Sequence, residues 1–471
     1  MKESAEIVIV GSGTAGLSAL REVRRHTDDV LLINHGGWGT TCAAVGCMPS
    51  KALIEAADAF HRRTCFEEFG IRGGDALRAD IPAVLERVRR LRDDFVKGPE
   101  SVRTELRDRA ISGFARLLGP DRVEVDGRQI RARRIILATG SHPIVPKPWQ
   151  RFGDRILTSD TIFEQRDLPK RLAVIGLGPL GIELAQAVAR LGVEVAGFDG
   201  NDSIGGVGDP EVQKAAARTI GAEFPLHLGQ DAEVTEDGDA LRVTAGDASF
   251  TTHAVLAALG RAPNVEGLGL ETLGVPLDDH GLPEVSPATL RIGDLPVWLV
   301  GDANGARPIL HEAADDGHIA GRLASSARES GFQRRTNLSI VFTEPNIAQV
   351  GRTWRDHGGE GLIVGAADFP RQGRARTACR DAGVLRLYAE PESGRLVGAE
   401  MCCPGAEHMA HLLALAIEAG QTVGCMLSMP FYHPTLEEGV RTALRALSRQ
   451  LPGLGGSDLA ECPDIGIEAL D

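Results

Sequence analysis

Ile7 to Leu20 reads IVIVGSGTAGLSAL. The apolar run Ile7 to Val10 ends in Gly11-Ser-Gly13-Thr-Ala-Gly16 and passes into a helical stretch. In that strand–turn–helix setting the glycines let the backbone approach a pyrophosphate at a helix N-terminus. Further along the chain the same layout returns. Leu172 to Ile175 leads into Gly176-Leu-Gly178-Pro-Leu-Gly181, an amphipathic stretch runs through Leu191, and another apolar strand spans Val193 to Phe198. One such motif is a weak signal, whereas two in the right context imply two mononucleotide-type sheets and two dinucleotides. Three more apolar runs, Ile135 to Ala138, Ala254 to Leu259 and Val297 to Val300, end at Thr139-Gly140, Gly260-Arg261 and Gly301-Asp302. These are strand ends at which a doubly wound sheet holds its ligands.

At 471 residues the chain exceeds one ordinary core, so several domains are expected. Proline and polar residues thicken around Pro143 to Trp149 and Arg334 to Asn337, which places joints near 150 and 336. Beyond the second joint the pattern changes. Strands near Val384 to Tyr388 and Arg395 to Met401 precede helices at about 405–420 and 436–448, an α+β unit.

Net charge is -14, which repels nucleic-acid phosphates and anionic membrane surfaces; neither is an expected partner. No apolar run reaches the roughly 18 residues of a membrane span, and the start has no cleavable signal pattern, so a cytoplasmic location is expected. The eight cysteines are too sparse for a disulfide framework, and no Cys or His spacing marks a metal site. Cys402 and Cys403 are adjacent, but on a strand they point to opposite faces.

Only Cys42 and Cys47, in Gly39-Thr-Thr-Cys42-Ala-Ala-Val-Gly-Cys47-Met-Pro-Ser-Lys51, invite a chemical reading. On a regular helix a five-residue spacing separates Cα atoms by about 8.6 Å, whereas a disulfide tolerates at most roughly 6.8 Å. The segment is therefore expected to be an irregular turn, for which Gly46 and Pro49 are suited, followed by a helix from Lys51 to about Arg63. Donor N–H groups at its start favour a thiolate, the reactive form in exchange. Two buried inert cysteines would need neither the glycines nor the lysine.

Taken together, the glycine loops, the CAAVGCMPSK segment, Ala138-Thr-Gly140, Ala258-Leu-Gly-Arg261-Ala-Pro-Asn264, Val300-Gly-Asp302 and Tyr432-His433-Pro-Thr-Leu-Glu-Glu438 resemble the pyridine nucleotide-disulfide oxidoreductase family, most closely its dihydrolipoyl dehydrogenase branch. The likeness covers essentially the whole chain. It implies an α/β fold with two Rossmann-like dinucleotide-binding domains and a C-terminal α+β dimerisation domain. The implied division is residues 1–149 for FAD, 150–270 for NAD, 271–335 returning to the FAD domain and 336–471 for dimerisation.

By that resemblance Gly11, Gly13 and Gly16 hold FAD, Asp302 bonds its ribityl chain, and Lys51 lies beside the flavin paired with Glu183. Gly176, Gly178 and Gly181 hold the nicotinamide dinucleotide, and Thr41, Thr139, Gly140, Gly260 and Arg261 also fall at cofactor positions. Cys47 is the thiol at the flavin and Cys42 exchanges with the external disulfide. His433, oriented by Glu438, is the acid/base and reaches the partner subunit's site in a homodimer. The chemistry suits these residue types, since histidine ordinarily titrates near 6.5 and a carboxylate on its other nitrogen fixes the tautomer. Glu437 competes with Glu438 on spacing alone.

Asp199, 18 residues past Gly181, is placed to accept from an adenosine ribose, and no arginine follows it before Lys214, which favours NAD over NADP. The equivalent position in the first loop is Asn34, where the family usually has glutamate, so the ribose contact there is uncharged. The expected reaction takes two electrons from a lipoyl-bearing carrier protein, or free dihydrolipoamide, through the Cys42–Cys47 disulfide and FAD to NAD. A glutathione or trypanothione reductase needs a charged peptide site, and a mercuric reductase needs a vicinal cysteine pair at its C-terminus, where Cys462 stands alone. A transhydrogenase lacks the redox cysteines. A flavin-binding scaffold subunit is the reading from another class, opposed by the intact motifs.

Overall fold

The computed structural model describes residues 3–326, 331–453 and 458; Cys462 lies outside the described residues. The first sheet is built on Ser4–Val10, paired in parallel with Val30–Asn34 on one side and Arg128–Leu137 on the other, with Ala110–Ser112 beyond. Residue 131 marks a division of labour in the long strand. Its first half pairs antiparallel with Arg122–Val125, which pairs antiparallel in turn with Ala115–Gly119, while Ile135 to Leu137 take Val297–Leu299 in parallel. A segment about 160 residues later thus returns to complete the first sheet. Continuous Val/Ile/Leu runs suit this strand set because a parallel sheet is buried on both faces; Ile7, Val8 and Ile9 are fully buried.

A second, all-parallel sheet orders Leu226–Leu228, Glu194–Asp199, Arg171–Ile175, Ala254–Ala257 and Ile156–Leu157. An antiparallel meander, Glu233–Asp237, Ala240–Ala245 and Ala248–Thr252, covers one flank. Two strands, Ser141–Pro143 and Arg261–Pro263, pair between the two units. The third sheet is antiparallel, ordered Leu338–Val341, Asn346–Gly351, Leu396–Cys403, Val384–Ala389, Ile363–Asp368, and the helices Ala406–Glu418 and Glu438–Ser448 pack on it. Cys402 and Cys403 are both fully buried and face different cores, as alternation along a strand requires.

Five helices matter for the site: α1 (Thr14–Val23), α2 (Thr41–Ala44), α3 (Cys47–His61), α4 (Ile81–Leu106) and α5 (Pro179–Arg190). Helices α3 and α5 pack together in one core with residues of the third sheet, Val341, Ile347 and Cys402 among them. Leu53 and Ala57 are fully buried there. Burial of a leucine contributes roughly 1.5–3 kcal/mol, so the helix that carries Cys47 is anchored at its middle. The 26-residue α4, capped by Asp80, lies alongside α3. Its charge-rich pattern hides it in the sequence, because only Leu85, Val88 and Leu106 are buried. No described helix is long and apolar enough to cross a membrane.

Candidate active site

The two glycine loops are copies of one another, position for position. Gly11 and Gly176 sit at φ +108° and +92°, and a Cβ on them would lie 2.1 and 2.3 Å from the carbonyl oxygens of Ala138 and Ala258. A Cβ on Gly16 or Gly181 would lie 1.9 Å from the carbonyl oxygen of its own loop's first glycine, so helix and strand meet only because both are glycine. Around Gly13 and Gly178 a Cβ would meet nothing within 4 Å. Each loop therefore closes on its strand yet leaves the backbone at its middle glycine, the N-cap of α1 or α5, open to an approaching phosphate.

The strand-end residues tighten these loops. Asn34 Oδ1 accepts from Ser12 N at 3.0 Å, and Asp199 Oδ2 accepts from Leu177 N at 2.6 Å. Both pairs are 22 residues apart. Asn34 also donates through Nδ2 to the carbonyls of Gly37 (2.9 Å) and His35 (3.3 Å), which a carboxylate could not do. The departure from glutamate at this position thus carries a local role, holding the turn after its strand. Asp199 Oδ1 accepts from Asn201 N and Nδ2, both at 2.8 Å.

Opposite the first loop, Thr139 Oγ1 is buried without a protein partner, a polar atom suited to a cofactor. The segment is clamped from below: Asn264 Nδ2 donates to Thr139 O at 3.0 Å. Arg261 spends its donors on Ser141 Oγ and O (both 2.8 Å), Ser159 Oγ (3.1 Å) and Asp160 Oδ1 (3.2 Å). Ser141 Oγ in turn donates to Asp302 Oδ2 at 2.7 Å. Arg261 therefore stands as a positioning residue, and Ser141, which sequence reasoning passed over, connects it to Asp302. Its only signal was its place directly after Thr139-Gly140.

The redox segment breaks where a disulfide needs it to. Helix α2 stops at Ala44, α3 begins at Cys47 itself, and Gly46 is the hinge. A Cβ on Gly46 would lie 3.0 Å from Thr41 O and 3.3 Å from Cys42 Cα, so glycine lets the two cysteine backbones close up. The two thiols lie close enough for each to shift the other's titration. The Cys42 hydrogen bond, helped by the Lys51 charge and opposed by burial, lowers Cys47 to about 7. The same hydrogen bond together with burial pushes Cys42 up. Of the two, Cys47 is the sulfur whose thiolate is favoured in the reduced pair.

Lys51 Nζ lies 2.8 Å from Glu183 Oε2 and 4.4 Å from the centre of the Phe342 ring. Glu183 is buried, and its other oxygen accepts from Phe342 N at 2.8 Å. One ion pair therefore joins the helix of the thiols, the helix of the second glycine loop and the third sheet. Replacing Lys51 by methionine removes a cation from beside the Cys47 sulfur and disfavours its thiolate. The Cys47 pKa is then expected to rise above about 7, measured by thiolate absorbance against pH. An unchanged titration would disconnect the lysine from the sulfur.

His433 and Glu438 sit at the start of Glu438–Ser448. His433 Nδ1 is 3.0 and 3.1 Å from the two Glu438 oxygens, and Thr435 N donates to Glu438 at 3.2 Å. The His433 hydrogen bond holds the Glu438 carboxyl below its usual range. Glu438, and not Glu437, is the partner. The imidazole is 80% exposed, beside an equally exposed Tyr432, and it bonds Glu438 rather than either redox cysteine of its own chain. Thr41 is exposed at the start of α2.

A Gly11→Ala substitution forces a Cβ into the Ala138 carbonyl at a backbone angle that disfavours side chains. Purified protein is expected to lose its visible flavin absorbance. Gly178→Ala meets no such contact and should keep it.

Comparison with known proteins agrees with this geometry. Residues 5–317 match the model of the pyridine nucleotide-disulphide oxidoreductase family, and residues 338–444 match that of its dimerisation domain. The chain is 30% identical over 457 residues to the dihydrolipoyl dehydrogenase of Halobacterium salinarum, covering 93% of this chain and 95% of that one. It is 32% identical over 447 residues to that of Geobacillus stearothermophilus, covering 92% and 94%. Among solved structures, LpdA from Mycobacterium tuberculosis superposes with a TM-score of 0.80 at 25% identity, covering 94% of this chain and 99% of that chain. The HOCl-induced flavoprotein disulfide reductase RclA from Escherichia coli shares the fold, with a TM-score of 0.81 at 21% identity over 93% of this chain and 99% of its own. The chain thus belongs to the pyridine nucleotide-disulphide oxidoreductase family, and is an oxidoreductase whose cofactors are FAD and NAD.

Proposed function

We propose that the chain is a dihydrolipoyl dehydrogenase, oxidising the dihydrolipoyl group of a carrier protein or free dihydrolipoamide with NAD. The observation that carries this reading is the thiol contact of Cys42 and Cys47 across the α2–α3 break, with Lys51 on the same helix. Curated relatives of that name support it. In the oxidised pair a substrate thiolate attacks Cys42 sulfur, the Cys42–Cys47 bond breaks, and the electron pair leaves as the Cys47 thiolate, which Lys51 favours. The second substrate thiol then attacks the mixed disulfide, closing the lipoyl ring and releasing Cys42. His433 accepts the thiol proton while Glu438 stabilises the imidazolium. FAD, when bound, supplies a two-electron relay between this dithiol and NAD.

For the cofactors, Gly11, Gly13, Gly16, Asn34, Thr139, Gly140 and Asp302 would hold FAD, and Gly176, Gly178, Gly181 and Asp199 would hold NAD. The exposure of His433 and the dimerisation-domain match support a homodimer in which the imidazole serves the partner subunit's dithiol. Sheet membership supports the division at 150, 270 and 336, with 271–335 returning to the FAD unit.

The test compares dihydrolipoamide with reduced glutathione, and NAD with NADP, on purified protein. Dihydrolipoamide with NAD is expected to turn over and glutathione not. Asp199 would face a 2'-phosphate with its carboxylate, so kcat/KM for NAD should exceed that for NADP by about tenfold or more, equivalent to about 1.4 kcal/mol. Turnover of glutathione alone would reject the assignment.

A further inference from the structure

Eight cysteines in sequence yield one redox pair by spacing, but the fold brings together a second. Cys65 ends the short turn that follows α3, and Cys379 follows the short helix Gly373–Thr377 in the third sheet unit. They are 314 residues apart, yet Cys65 Sγ reaches Cys379 O at 3.9 Å, which brings the two side chains into one neighbourhood. The junction is held independently by Arg62 Nη1, which donates to Ala378 O at 3.0 Å. Cys379 takes φ +50°, uncommon for a residue with a side chain, and its N–H is tied to Arg376 O at 3.1 Å. Both cysteines are half-buried and so open to a small reagent. Cys402 and Cys403 differ on this point, being sealed in the core.

We propose that Cys65 and Cys379 form a second, regulatory disulfide, made by exchange with a small neutral disulfide, that clamps the α3 end of the redox helix to the third sheet unit. Cys65 thiolate attacks the reagent, one reagent sulfur leaves as thiol, and a mixed disulfide remains. Cys379 then loses its proton, attacks the Cys65 sulfur and expels the second reagent thiol. Two protein thiols are oxidised and one reagent disulfide is reduced to two thiols. Burial first, and then the Cys65, Glu68 and Asp381 charges, push the Cys379 thiol up, which suits it to the second, intramolecular step. Glu68 and Asp381 also repel anionic reagents, so a neutral disulfide is the favoured oxidant. The clamp acts on the far end of the helix that begins at Cys47, and it is independent of which substrate the active site takes.

The test incubates FAD-loaded protein with hydroxyethyl disulfide, alkylates free thiols and digests without reduction. A linked peptide pair containing Cys65 and Cys379 is expected, with two thiols per chain lost beyond Cys42 and Cys47. The melting temperature should rise in the wild type and stay fixed in Cys379→Ser, whose Cys65 retains the hydroxyethyl adduct. Separate adducts on both cysteines of the wild type, or a linked pair with no change in melting, overturn the proposal.

Discussion

Cys47→Ser is expected to lower dihydrolipoamide oxidation by at least about 10³-fold while leaving flavin content unchanged. Serine cannot form the disulfide, so the substrate thiolate has no sulfur–sulfur bond to break, and no thiolate develops beside Lys51. The flavin loop is built from other parts: Gly11 and Gly16 against Ala138, and Asn34 against Ser12. Kinetics with dihydrolipoamide, together with the flavin absorbance of the purified variant, make the check. If flavin is lost along with activity, the cysteine is structural. Anaerobic NADH adds a second readout: flavin bleaching in the wild type supports the enzyme, and an unchanged spectrum supports a scaffold.

His433→Gln should lower kcat/KM for dihydrolipoamide by about 10²–10⁴-fold, the usual worth of a positioned acid/base. Glutamine keeps a polar group near Glu438 but cannot take the thiol proton. NADH should still reduce the flavin, because that half of the reaction does not draw a proton from a substrate thiol. Among the described residues the exposed imidazole has no bond to Cys42 or Cys47, which leads to a complementation test. Co-expression of Cys47→Ser and His433→Gln chains gives mixed dimers, each with one intact site if the histidine crosses between subunits. Partial recovery of activity is expected, and complete absence of recovery in isolated mixed dimers would place the histidine in its own chain's site.

The two glycine loops were legible because the strain they relieve is local. Gly11 at φ +108° disfavours a side chain whatever surrounds it, and a Cβ on Gly16 would lie 1.9 Å from the Gly11 carbonyl oxygen of the same loop. The strand runs read well for a similar reason, since a parallel sheet buried on both faces leaves continuous apolar runs. The strands at Ala115–Gly119 and Arg122–Val125 and the long α4 went unread, because half-exposed strands and a charge-rich helix look alike in composition. Arg261 fell at a cofactor position by sequence, and only the fold shows its guanidinium bonded to Ser141, Ser159 and Asp160.

By itself the sequence determined the two dinucleotide loops and the redox pair with its required break at Gly46, while spacing left Glu437 and Glu438 both in reach of His433. Each is written in a short stretch whose chemistry or geometry is satisfied by near neighbours. The tertiary structure alone decided that Lys51 meets Glu183 across 132 residues, that Ser141 holds Asp302 across 161, and that Cys65 finds Cys379 across 314. Those contacts follow from how buried helix and sheet faces pack. Apolar burial depends on area and shape rather than on the identity of any one distant partner, so no local pattern records them.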